Sequence, residues 1–142
     1  MLFIFDTNTL ISAILNPTGI PMQALVLAQQ HGKIIFPKET KEEMLRVGAR
    51  EKFDKYLTHS LRVERIKTLL ANAEVKEITF FDGIECRDPN DIQFLRLALS
   101  AKVDCLISGD IHLKELNPFR TIPIINSANF IQWISSKKEI DV

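Results

Sequence analysis

The chain has 142 residues, of which 46% are hydrophobic and 25% charged, and Lys and Arg balance Asp and Glu to a formal net charge of zero. That length suits one domain with a real core, and that mixture excludes a disordered chain. A zero balance argues against a broad basic footprint for nucleic acid, though not against a local basic face around an acidic centre.

The first strand is expected at Leu2-Phe3-Ile4-Phe5, an unbroken apolar run that reads as buried on both faces. It stops at Asp6. Thr7, Asn8 or Thr9 could cap the helix that follows to Leu15, and Asn16-Pro17-Thr18-Gly19 breaks it. A second helix is expected from near Pro21 to His31, with Gly32 as C-cap. Ile34-Ile35-Phe36 reads as a short buried strand ended by Pro37. A charged helix then starts at Lys38 and is interrupted or ended at Gly48, with a short helix from Arg50 to Leu57 after it. Thr58 or Ser60 caps the next helix, with Leu61, Ile66, Leu69 and Leu70 as its inward stripe.

Val75 to Phe81 reads as a strand or an extended crossing segment. In the loop that follows, Pro89 forces Asp88 away from helical geometry, and Asn90 can cap a helix from near Asp91 to Ala101. Val103 to Ile107 is the next strand, ended by Ser108-Gly109-Asp110, and one or two helical turns run from Ile111 to Leu116. Thr121 to Ile125 is a short strand, placed at a sheet edge because Pro123 has no backbone donor. Ser127 caps a last helix carrying Phe130, Ile131, Trp133 and Ile134, and 135–142 is expected to be a polar, frayed tail. Alternating strands and helices imply an α/β fold with a mostly parallel sheet covered on both faces, a single domain over 1–142. Right-handed crossovers place the strand ends after Phe5 and Ile107 on one rim.

Cys86 and Cys105 form no CxxC pair and read as free thiols in a reducing compartment. The amino terminus has no basic leader and its apolar run is cut by Asp6, so it does not read as a signal peptide. No stretch approaches the roughly 20 apolar residues of a membrane helix. The expected location is the cytoplasm, with no membrane partner.

Asp6 and Asp110 each follow an apolar strand directly, Asp91 opens a helix, and Glu43 lies in the first turns of the helix after the second strand. Taken singly, each has an ordinary reading as a cap, a turn residue or a first-turn acid. Together they fall at equivalent ends of one sheet. Carboxylates gathered in one cleft repel and take up protons unless a cation joins them. Oxygen donors without a Cys or His cluster point to Mg²⁺ or Mn²⁺ rather than zinc, and such an ion suits phosphoryl chemistry.

Phe5-Asp6-Thr7-Asn8, Glu43-Met44-Leu45, Arg87-Asp88-Pro89-Asn90-Asp91 and Ser108-Gly109-Asp110 resemble, in order and spacing, the four acidic motifs of the PIN-domain nucleases. The likeness runs from Leu2 to about Trp133 and is nearest to the family's compact VapC-like members, often toxins of toxin–antitoxin pairs. The resemblance implies a three-layer α/β/α PIN-like domain and an Mg²⁺- or Mn²⁺-dependent endoribonuclease that hydrolyses RNA with a metal-activated water. It implies Asp6, Glu43, Asp91 and Asp110 as the catalytic acids, with Asp6, Asp91 and Asp110 on the metal. Asn8, Asp88 and Ser108 would support them. Glu39 and Glu42 lie within a turn of Glu43 and compete for its place. Pro37 departs from the family, which often has Ser or Thr just after the second strand. An antitoxin protein and a second copy of the chain are the implied partners beside RNA.

Basic residues concentrated between Lys38 and Lys67, Arg46, Arg50, Arg62 and Arg65 among them, could meet phosphates. A solvated helix face explains them as well. Arg87 could brace the carboxylates or meet a phosphate. Trp133 and Phe130 read as core or dimer surface. The rival readings are a non-catalytic RNA-binding PIN-like module and a phosphatase or receiver-like domain. Asn8 disfavours the dehalogenase type of phosphatase, which wants an acid there.

Overall fold

The computed structural model describes residues 1–81, 83–84, 88–89 and 91–140, the last three through their backbone only. Five strands, β1 (Leu2–Phe5), β2 (Lys33–Pro37), β3 (Glu74–Lys76), β4 (Cys105–Ile107) and β5 (Ile124–Ile125), form one sheet in the order β3-β2-β1-β4-β5. Every neighbouring pair is parallel. The helices are α1 (Thr7–Leu15), α2 (Ile20–His31), α3 (Thr40–Gly48), α4 (His59–Asn72), α5 (Ile92–Ala101), α6 (Ile111–Lys114) and α7 (Ser127–Ile140).

Strand side chains alternate between two faces, and both faces are apolar. Phe3, Phe5, Ile34, Phe36, Cys105 and Ile107 pack beneath α1, α2, α3, α4 and α7. Ile4, Ile35, Leu106 and Ile124 point the other way, beneath α5 and α6. The result is a three-layer α/β/α arrangement. Phe130 and Trp133 of α7 meet Phe3 edge to face at 5.3 and 6.4 Å, so both belong to the core side of that helix. Gly32 is required sterically at the α2–β2 junction: a Cβ there would lie 2.1 Å from the Met1 carbonyl oxygen, next to the bond from Lys33 N to Met1 O.

The chain builds outward from β1 to β2 and β3, then crosses to lay β4 on the other side of β1. That reversal opens a crevice at the carboxyl ends of β1 and β4, the usual ligand site of such sheets. Phe5 pairs with Ile107 in register, and Asp6 N donates to Ile107 O, so Asp6 and the Ser108-Gly109-Asp110 segment leave the sheet side by side.

Several elements differ from the sequence reading. Asp6 itself caps α1, its Oδ1 accepting from Thr9 N at 2.8 Å, and Thr7 is already helical. Of the two readings open for Val75–Phe81, strand or extended crossing segment, strand pairing holds only over Glu74–Lys76, and beyond it Thr79 N and Phe80 N donate to Ser100 Oγ instead of a strand neighbour. The expected strand over Thr121–Ile125 shortens to Ile124–Ile125, since Arg120 and Thr121 form a tight turn; it does lie at the sheet edge. Arg50–Leu57 holds one 3₁₀ turn, Glu51–Phe53. On α4, Leu61 is exposed and Arg62 is buried. The α7 cap is Asn126, whose Oδ1 accepts from Asn129 N, and the helix continues past Ser135 to Ile140.

Cys105 is a free, buried thiol, which burial pushes up to about 12, and Cys86 lies outside the described residues. Among the described residues no single helix is long and apolar enough to cross a membrane; α1 and α2 qualify only jointly and meet at 108°.

Candidate functional site

Side chains from four elements close around one cavity of about 180 Å³ at the crevice. Asp6, Thr7 and Asn8 enter from the end of β1 and the start of α1. Glu43 and Arg50 come from α3 and the turn after it, Asp88 and Asp91 from the start of α5, and Asp110 from the end of β4. A wider groove of about 610 Å³ shares Asp6, Asn8 and Asp110 and runs on to Asn126 and Ser127 at the start of α7.

Ser108, fully buried, ties two of the acids together. Its Oγ donates to Asp6 Oδ2 and accepts from Asp110 N at 3.0 Å. Asp6 Oδ1 is held by Thr9 N, and Asp110 Oδ1 by His112 N at 2.7 Å. Those two aspartates therefore do cap helices, as their bland reading requires, while also facing the cavity. Asp91 does not. It stands at the cap position of α5 without making a side-chain cap bond, it is only 8% exposed, and its Oδ2 is buried with no hydrogen-bond partner. Helix-start chemistry leaves that oxygen unexplained.

The electrostatics follow from burial and crowding. Burial first, then the charges of Asp110, Asp88 and Asp6, and last a side-chain hydrogen bond with Asp110 that favours the protonated form, push the Asp91 carboxyl up to about 7. Burial also raises Asp6 above the usual carboxylate range, offset by the donors Ser108 and Thr9 and reinforced by the charge of Asp110. Such a cluster favours a proton or a cation.

The oxygen donor set fits a hard divalent cation, and Asp91 Oδ2 is a buried oxygen left without a hydrogen-bond partner. Among the described residues no three His, Cys, Asp or Glu side chains stand close enough together to hold an ion as they are placed here. Mg²⁺ does not require three, because it is commonly held by one or two carboxylates and keeps several waters.

Of the residues singled out from the sequence, Asp6, Asn8, Glu43, Arg50, Asp88, Asp91 and Asp110 line the cavity, and Ser108 lies directly behind it. Glu39 and Glu42 are exposed and do not line it, so the structure separates them from Glu43. Arg46 is exposed on α3 and does not line it either. Arg87 and Asn90 lie outside the described residues. Two of the basic residues open to either reading, phosphate contact or a solvated helix face, bond internally: Arg62 to backbone carbonyls and Asp54, and Arg65 to Ile14 O. Thr7 was legible only as a possible cap, yet its buried Oγ1 has no partner and it lines the cavity. The one sequence signal for it is its place directly after Asp6.

The fold and the clustered acids define a class, a parallel-sheet domain with a carboxylate site at its switch point. The chain belongs to the PIN domain family, which it matches over residues 3–112. PIN domains are generally nucleases, hydrolases acting on nucleic acid, and generally use divalent metals. An uncharacterized protein of Methanocaldococcus jannaschii is 32% identical over 124 residues, covering 84% of this chain and 79% of that one. Among solved structures, VapBC2 from Rickettsia felis bound to a DNA fragment from their promoter matches with a TM-score of 0.61 at 14% identity. The match covers 89% of this chain and 98% of that one. It shows a shared fold.

Proposed function

We propose that the protein is an Mg²⁺- or Mn²⁺-dependent endoribonuclease acting at the cavity between Asp6, Glu43, Asp91 and Asp110. The observation that carries this reading is Asp91, a buried acid that caps nothing, has an unpartnered oxygen and faces other carboxylates. Asp6, Asp91 and Asp110 would hold the cation, with Ser108 fixing the first and last of them and Asn8 and Asp88 at the rim. A divalent ion there supplies charge neutralisation at a scissile phosphate and a water acidified toward neutral pH. Glu43, half-buried across the cavity, is the chain's own candidate to take a proton from the attacking water. Arg50 offers a guanidinium at the rim to a phosphate oxygen. Arg87 remains a second candidate from sequence. The wider groove toward Asn126 gives the strand a path away from the acids.

The motif likeness to VapC-like proteins, and the fold shared with the VapBC2 structure, support the finer reading of a type II toxin. An antitoxin would then mask the acidic cleft, in a cytoplasmic homodimer of this chain. The test is cleavage of a single-stranded RNA across a Mg²⁺ and Mn²⁺ titration. Cleavage should require the metal and fall at least 100-fold in Asp6→Asn, a loss beyond what disturbing a ligand's supporting group alone produces (about 10–100-fold). RNA retained without cleavage at any metal concentration would instead favour the non-catalytic binding module. Growth arrest on expression, relieved by the product of a short neighbouring reading frame, tests the toxin reading.

A further inference from the structure

We infer that the outer side of α5 carries a stacking platform for a single-stranded segment of RNA, built from Phe80, Phe81, Phe119, Arg96 and Arg120. The inference rests on the reading of the protein as one that acts on a nucleic-acid strand. Phe80 and Phe81 are consecutive aromatic residues that stay 36% and 58% exposed. They are not a loose loop. Thr79 N and Phe80 N both donate to Ser100 Oγ at 2.9 Å, which fixes the segment to α5.

Two guanidinium groups lie on these rings. Arg96 stands 5.4 Å from the Phe81 centroid, and Arg120 lies 5.4 Å from Phe80 and 5.5 Å from Phe119. Neither arginine has a carboxylate partner among the described residues, and Arg96 Nε is buried without any hydrogen-bond partner. Arg120 spends one nitrogen on Gly83 O at 2.7 Å. The chemistry left over is two cations without counter-ions among the described residues, set against faces of aromatic rings. A strand that alternates phosphate and base supplies both complements, an anion for the guanidinium and a π-face for the ring.

The backbone supports the same conclusion. Arg120 and Thr121 have φ of 46° and 79°, the left-handed region, in a turn closed by paired bonds between Phe119 and Ile122. Such turns favour Asn and Gly, and the Arg120 side chain leaving this one is held by Gly83 O and lies over the Phe80 and Phe119 rings. Asp91 caps the helix that carries Arg96, about 7–8 Å away along the axis and about 140° around it, so a strand crossing the acids reaches the platform by wrapping around α5.

The experiment measures binding of a labelled single-stranded RNA 20-mer by fluorescence anisotropy in EDTA, where cleavage is off. Phe81→Ala should weaken binding roughly tenfold. Arg120→Gly, which suits the backbone at that φ, should lower the salt slope by about 0.7 while the chain stays folded. With Mg²⁺, both variants should raise KM for the 20-mer and leave kcat unchanged. Wild-type affinity and slope in both variants would overturn the platform, as would absence of RNA binding by the wild-type chain, and a protein-docking role for the patch predicts the first of these. If the wild-type chain cleaves nothing yet Phe81→Ala loses affinity, the nuclease reading falls and the platform stands.

Discussion

At the scale of single residues, Ser108 is as informative as the acids it serves. One hydroxyl donates to Asp6 and accepts from the Asp110 backbone, so it fixes the relation between the ends of β1 and β4. Ser108→Ala leaves Asp6 Oδ2 without that donor in a buried site. If Asp6 holds the cation as proposed, activity should fall about 10–100-fold, the usual effect of removing the group that orients a metal ligand, while the sheet persists. Steady-state cleavage rates beside a melting curve check this; an unchanged rate would show that Asp6 needs no such support. The aspartates were legible in the sequence because each follows a strand or opens a helix. Asp91's unpartnered oxygen was not, since a helix-opening Asp normally caps, and only coordinates show that this one does not.

At the scale of elements, the helical hairpin beside the cavity depends on a buried arginine. Arg62 is 1% exposed and donates to Gly48 O at 2.7 Å, to Leu57 O, to Arg50 O and to Asp54. It therefore joins the end of α3 to the start of α4 and holds the backbone of Arg50, whose side chain lines the cavity. Removing it orphans several carbonyls, so Arg62→Met should cost about 3 kcal/mol or more in urea unfolding. Asp54→Ala should cost under about 1 kcal/mol, because that carboxylate is exposed and Arg62 keeps its carbonyls. Equal losses would place the stabilisation in the ion pair instead. Sequence periodicity failed at this point for a definable reason. It assigned the inward position to Leu61, an apolar residue, whereas the loop 49–58 presents carbonyls that a guanidinium can satisfy and a leucine cannot. The strands failed differently: β3 and β5 are cut short by a Ser100 hydroxyl and a tight turn, both distant from the strands in sequence or unmarked by Gly.

At the scale of the whole molecule, the acidic site opposes the stability of the metal-free fold. Asp91 in the folded chain holds its proton up to about pH 7, well above its ordinary value of 3.8. Below about pH 4 both states are protonated and the site is neutral toward folding. Between about pH 4 and 7 the unfolded chain has ionised while the folded chain still holds its proton, so stability falls by a few kcal/mol across that window and levels off above it. Asp6 shifts in the same direction. Asp91→Asn removes one acid-linked part, and its melting temperature in EDTA should exceed wild type by about 5–10 °C at pH 8 and converge with it at pH 4. Divalent cation should close the gap at pH 8. Parallel curves for the two proteins would mean that Asp91 ionises without strain. The architecture itself was readable, because apolar runs alternate with amphipathic helices and each run ends at a polar residue, which leaves a parallel sheet as the consistent solution.

The most direct measurement is anomalous diffraction from a crystal soaked in Mn²⁺. The account predicts one or two peaks inside the cavity, with carboxylate oxygens of Asp6, Asp91 and Asp110 at about 2.0–2.2 Å. No peak there at saturating Mn²⁺, or a peak held by other residues while the cavity stays empty, would contradict it.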